Sequence, residues 1–233
     1  MFQEKLNEKY RDALEKYSPP AGVIPGSWYD EMYYETPGMK SNWPSPFQWS
    51  IWGDTYKNIA HFILSGFPFS KSFLDVGCAK GFLLYGMLLY AKGCKLEIEV
   101  QGFDHSQYAI DNAIDDIKPF ISRSSVDDFE FVRDYDVVTA LDVLEHLTEE
   151  QSFRFLERAR RYVNHNIFAV IPIGNEHGVT ELSHINLHGR DYWIDLFTKA
   201  GWMQDEETKQ QEKDASIFPL VRMLKWNVYI FKS

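Results

Sequence analysis

The stretch Leu74-Asp75-Val76-Gly77-Cys78-Ala79-Lys80-Gly81-Phe82 has the clearest chemical pattern in the chain. An apolar run carrying an acid passes into a turn with glycines at 77 and 81, then into a helical pattern. Gly77 and Gly81 allow a tight bend and close approach of backbone to ligand. The spacing matches neither the G-x-x-x-x-G-K-[ST] phosphate cradle nor the G-x-G-x-x-G dinucleotide turn. Asp75 would repel pyrophosphate and suits a cationic or amino-bearing ligand. Cys78 and Ala79 read as small turn residues of the same bend, with Cys78 in no reactive setting. A second acid, Asp104, ends the run Gly102-Phe103-Asp104. There one carboxylate can accept from both hydroxyls of a ribose, with His105 beside it. Asp127, in Ser125-Val126-Asp127-Asp128, can accept from an exocyclic amine. Together these residues describe a site for a nucleoside joined to a charged, amino-acid-like group without phosphates. The plainer alternatives are helix caps for Asp75 and Asp104 and a solvated acidic loop for Asp127 and Asp128.

Further polar groups follow. Asp142-x-x-Glu145-His146 would point its side chains toward the same end of the molecule from a helical start. Ser183-His184-Ile185-Asn186-Leu187-His188 follows the next apolar run. A histidine with an ordinary pKa near 6.5 can take a proton from a hydroxyl. His184, His188, His146 and Asp142 are therefore the candidate catalytic set, and His177 is a weaker one. With Glu145 they also have the residue types of a carboxylate–imidazole metal site. A polar wall without metal is the preferred reading.

The elements that must position these groups are short apolar runs alternating with helical spacing. Strands are expected at 73–76, 97–103, 121–126, 136–141 and 167–173, and one or two antiparallel strands over 216–232. Helices are expected at 2–17, 51–66, 82–92, 106–115, 149–163 and 191–200. Such alternation implies a mostly parallel sheet covered on both faces, with its ligand site beyond the carboxyl ends of the strands. Residues 18–50 carry prolines and glycines between Trp28, Tyr29, Tyr33, Tyr34, Trp43, Phe47 and Trp49. That segment is too apolar for a solvated linker and is expected to pack as a lid that excludes water. The expected division is an N-terminal helix and aromatic-rich cap over 1–66 and a catalytic domain over 67–233.

Asp75-Val76-Gly77-Cys78-Ala79-Lys80-Gly81 resembles the first motif of class I S-adenosylmethionine-dependent methyltransferases. Asp104 matches their ribose-binding acid, and Tyr135-Asp136-Val137-Val138 through Asp142-Val143-Leu144-Glu145-His146-Leu147 resembles their fourth-strand motif. The resemblance covers about residues 72–205. It implies a seven-stranded, mostly parallel Rossmann-like sheet with helices on both faces. It also implies S-adenosylmethionine as donor and S-adenosylhomocysteine as product. By the same resemblance the donor site comprises Asp75, Gly77, Cys78, Ala79, Gly81, Asp104, His105, Asp127 and Leu141. The expected reaction is O-methylation of a small polar acceptor such as a sugar or secondary metabolite. An N-methyltransferase for a small amine, a metal-dependent nucleic-acid 2′-O-methyltransferase and a non-catalytic methyltransferase-like partner subunit are the alternatives. The Asp142/Glu145/His146 pattern is similar to that of small-RNA 3′-end methyltransferases, which bind a divalent metal, but departs from it by having Asp142 in place of a glutamate.

The 233 residues suit one large domain or a domain with a cap. With 45% hydrophobic and 25% charged residues the composition is that of a globular protein. The formal net charge of −10 opposes a polyanionic partner, so nucleic acid is disfavoured. Two cysteines, Cys78 and Cys94, make neither a disulfide framework nor a cysteine zinc site. No apolar run reaches the roughly 18 residues of a membrane span, and Met1-Phe2-Gln3-Glu4-Lys5 lacks the run of a signal peptide. A cytoplasmic protein acting on a small-molecule acceptor is expected, with a homodimer left open.

Overall fold

The computed structural model describes residues 16–41, 43–172, 181–215 and 226–233. Apart from its last two positions, the helix expected over 2–17 lies outside these residues, as do His177 and residues 216–225.

Six strands form one sheet: β1 (Ser72–Val76), β2 (Glu99–Asp104), β3 (Ile121–Arg123), β4 (Tyr135–Leu141), β5 (Val163–Pro172) and β6 (Trp226–Lys232). Their order is β3-β2-β1-β4-β5-β6. All neighbours are parallel except β6, which runs antiparallel to β5. Seven strands were expected. The described residues hold six, because the tail contributes one described strand and residues 216–225 fall outside.

The strands are apolar on both sides because helices cover both faces. On one face α2 (Trp49–Gly66) and α3 (Phe82–Cys94) bury Ile63, Leu64, Leu84 and Met87 against Phe73, Val137 and Phe168. On the other, α5 (Glu149–Ala159) and α6 (Arg190–Lys199) bury Phe155, Leu156, Trp193 and Phe197 against Leu74, Val138, Ile167 and Tyr229. The expected boundary at 66–67 thus falls between α2 and β1, two elements that share one core. A short helix α4 (Gln107–Asp111) follows β2, capped by Ser106. The last helix, α7 (Glu206–Ala215), has no counterpart among the expected elements. It is almost wholly polar and is held through Glu212, which pairs with Arg190 and accepts from Gln204.

The aromatic segment forms a third cluster. Trp28, Tyr33, Tyr34, Trp43, Phe47 and Trp52 pack with Phe82, Ala109 and Leu182 over the carboxyl end of the sheet. It includes α1 (Glu31–Glu35), whose N-cap Asp30 accepts from Tyr33 N.

Candidate active site

Strand order reverses between β1 and β4, because β1 pairs with β2 on one side and β4 on the other. Crevices at such switch points are where open parallel sheets hold ligands. A cavity of about 390 Å³ opens there. Asp75, Gly77, Cys78, Ala79, Asp104, His105, Asp127, Leu141, Asp142 and His146 all line it, under Tyr29, Tyr33, Trp43 and Phe47 from the aromatic segment.

The bend after β1 is left-handed at Gly77 (φ 65°), Ala79 (φ 46°) and Gly81 (φ 75°). A Cβ at Gly77 would stand 2.5 Å from Val143 Cγ2, and one at Gly81 would stand 2.4 Å from Ile117 Cγ2. Close packing therefore adds to the conformational demand at both positions. Gly81 shapes the bend from behind and is not among the lining residues. Lys80, between them, turns away from the ligand space. It pairs with Glu35 and donates to the Phe47 carbonyl at 3.0 Å, tying the aromatic segment to the bend.

Asp75 is 4% exposed and accepts from Thr139 Oγ1 at 2.6 Å. Burial pushes its carboxyl up to about 7, against the pull of that hydrogen bond. Asp104 Oδ2 accepts from Ala79 N at 2.8 Å and Oδ1 from Ser106 N at 2.7 Å. Burial still raises it to about 6. Burial and then the nearby Arg123 lower His105. Asp127 accepts from Gln151 Nε2 at 2.7 Å. That glutamine also completes the capping box of α5, so the loop after β3 is braced by the next helix.

Asp142 follows β4 with φ 59°, a strained backbone for a non-glycine residue. The expected helical start is only the 3-10 turn Leu144–His146. Glu145 lies within it with no exposed surface, its backbone carbonyl accepting from Ile185 N and Asn186 N, both at 3.0 Å. This brings the loop after β5 against the turn. His184 thereby stands 3.8 Å from Asp142 Oδ1, with its ring centroid 4.8 Å from that of His146. Burial and then the Asp142 charge hold Glu145 well above the ordinary glutamate range. Burial lowers His146, and burial followed by His146 pushes His184 down to about 3.

The structure therefore brings together Asp142, His146 and His184 of the candidate catalytic set, but not His188. That side chain is one-third exposed, 3.0 Å from Glu149 Oε1 and stacked on Tyr192, away from the cavity. Sequence reasoning missed Glu181. Its carboxylate accepts from Tyr33 Oη at 2.6 Å and Ser183 Oγ at 2.8 Å. The one local signal is its spacing three residues before His184.

No protein-family model matches the chain. No curated protein matches it by sequence. Solved structures do match. A candidate O-methyltransferase from Nostoc punctiforme superposes with a TM-score of 0.56 at 14% identity, over 78% of this chain and 56% of that one. A magnesium protoporphyrin IX methyltransferase from Synechocystis with bound SAH gives 0.51 at 12% identity, over 97% and 92%. This chain has the class I methyltransferase fold. The [4+2]-cyclase SpnF also matches the methyltransferase-fold chain, with a TM-score of 0.55 at 11% identity over 91% and 98% of the two chains. Likeness at this identity fixes architecture and leaves chemistry to the site. The chain spans little more than half of the Nostoc protein.

Proposed function

We propose that this protein is an S-adenosylmethionine-dependent methyltransferase, releasing S-adenosylhomocysteine, with a small polar molecule as acceptor. One observation carries the reading. Asp75, Asp104, Asp127, Asp128 and Asp142 line the cavity, and among the described residues no lysine or arginine does. Such a wall repels phosphates and attracts a sulfonium with an ammonium group. In this reading Asp104 takes the ribose diol, Asp127 and Gln151 the adenine edge, and the Gly77–Gly81 bend the amino-acid portion. The Synechocystis structure with its bound SAH supports the donor.

Methyl transfer from sulfur is a displacement in which the sulfur–carbon bond breaks as the new bond to the acceptor forms. The protein must align the two partners and exclude water. Tyr29, Tyr33 and Trp43 roof the cavity, and Asp142 with His146 supplies a polar wall that orients the acceptor hydroxyl. That wall supports O-methylation as the first reading. The same five aspartates favour a small cationic amine as the second reading.

Calorimetry with S-adenosylmethionine and S-adenosylhomocysteine tests the donor assignment. Binding of both is expected, and absence of both overturns it. Scoring demethylated donor against a panel of hydroxyl and amine acceptors separates O- from N-methylation. Among the described residues no helix is long and apolar enough to cross a membrane.

A further inference from the structure

Asp142, Glu145, His146 and His184 each offer one ligand atom, and the four atoms lie within 4.8 Å of one another. His184 Nε2 is 3.8 Å from Asp142 Oδ1 and 4.0 Å from Glu145 Oε1, and His146 Nε2 is 3.9 Å from Glu145 Oε1. These separations are too long for hydrogen bonds. Two atoms each about 2.1 Å from a shared ion stand roughly 3.0 to 4.2 Å apart, so any pair near the 4.8 Å limit closes by a few tenths of an ångström when the ion binds.

The polar atoms are also unsatisfied. Both Glu145 carboxylate oxygens, Asp142 Oδ1 and His184 Nε2 are buried without a hydrogen-bond partner. Glu145 is wholly buried and the His184 side chain is 6% exposed. Leaving such groups unpaired is costly. A proton shared between Asp142 and Glu145 relieves that pair alone and leaves the imidazole nitrogens facing oxygens they cannot bond. The tautomer of His146 points the same way. Its Nδ1 lies 3.2 Å from the Ser183 carbonyl, which only accepts. Nδ1 therefore keeps the proton, and Nε2 presents its lone pair to the cluster, the arrangement of a metal-ligating histidine.

We propose that Asp142, Glu145, His146 and His184 bind one divalent transition-metal ion at the inner wall of the cavity. Two carboxylates balance the charge of the ion, and a mixed carboxylate–imidazole set suits Mn²⁺, Fe²⁺ or Zn²⁺. Glu181 stands behind the set, with Oε2 3.8 Å from His184 Nε2. It is a positioning residue, and its hydrogen bond from Tyr33 links the ion site to the aromatic lid. Asp142 and His146 line the cavity while Glu145 and His184 lie behind them, so the remaining positions of the ion face the ligand space. Resting on the proposed function, this makes the acceptor one that presents a hydroxyl beside a second oxygen, able to chelate the ion.

The test uses the full chain, stripped of metal by chelator and titrated with Mn²⁺, with free Mn²⁺ read by electron paramagnetic resonance. One ion per chain is expected. Glu145→Gln and His184→Asn should each weaken binding at least about tenfold, whereas His188→Asn, at the exposed pair with Glu149, should not change it. If His184→Asn does not fold, Glu145→Gln carries the comparison. Absence of Mn²⁺ binding, or binding that Glu145→Gln leaves intact, shows a proton-sharing polar cluster and overturns the proposal. Calorimetry with S-adenosylhomocysteine on the same samples reads the donor site separately. Donor affinity without Mn²⁺ binding sinks the ion site alone, and Mn²⁺ binding without donor affinity sinks the methyltransferase reading alone.

Discussion

The Asp104 carboxylate reaches from the end of β2 to accept a hydrogen bond from the Ala79 backbone N–H at 2.8 Å. The glycine bend after β1 and the acid after β2 are thus one rigid unit before any ligand arrives. Preorganisation of this kind lowers the ordering cost of binding.

Asp104→Ala should weaken binding of S-adenosylmethionine by about 1.5–3 kcal/mol, the range for hydrogen bonds to a charged group. It also removes the brace on Ala79. Titration calorimetry checks the affinity. A change below twofold would remove Asp104 from the donor site.

Donor affinity should rise with pH. Burial lifts Asp75 to about 7 and Asp104 to about 6, so both hold protons in the folded apo protein at pH values where the unfolded chain has lost them. The folded state then binds more protons than the unfolded one. Stability present at pH 4 is accordingly lost as pH rises toward 7. A cationic donor favours the ionised acids and releases protons on binding. Thermal melts at pH 5.5 and pH 8 should show a larger donor-induced rise at pH 8. An equal rise would mean the donor does not touch these carboxylates.

Gly81→Ala should destabilise the fold by about 2 kcal/mol or more. A left-handed residue with a side chain costs roughly 1–2 kcal/mol, and overpacking of a close neighbour adds to it. The neighbour is Ile117, 2.4 Å from the new Cβ. Urea unfolding gives the stability, and donor affinity should fall with it because the bend is displaced.

Lys80→Met should loosen the aromatic lid while sparing the sheet. The change removes the cation from Glu35, which keeps its hydrogen bond from Gln48, and leaves the Phe47 carbonyl without the buried ammonium that Lys80 now supplies. The loss should be about 2 kcal/mol. Limited proteolysis should then cut between residues 18 and 48 before any site in the sheet.

Where local spacing carried the information, the chain was legible. The apolar run at Phe73–Val76, the bend to Gly81 and the helix that begins at Phe82 are all consecutive, and all appear as expected. Expected boundaries drifted where elements abut. The helix expected to reach 163 stops at Ala159, because β5 already begins at Val163 to pair with Tyr135. Helix α7 escaped notice because its polar residues show no apolar stripe, and Arg190 and Gln204 hold Glu212 from outside its own span.

The sequence by itself determined the alternation that makes a parallel sheet, the tight bend at Gly77–Gly81 and the acids at 75 and 104, since each depends on neighbours a few residues away. Only the tertiary structure decided which histidine joins the site. Both His184 and His188 stand as candidates in one dimension, four residues apart in the same segment. Pairing of the Glu145 carbonyl with Ile185 and Asn186 turns His184 toward Asp142, while His188 is left outside on Glu149. The placement follows from strand order: β4 and β5 lie side by side, so the loops beyond them meet, and no local spacing encodes that contact.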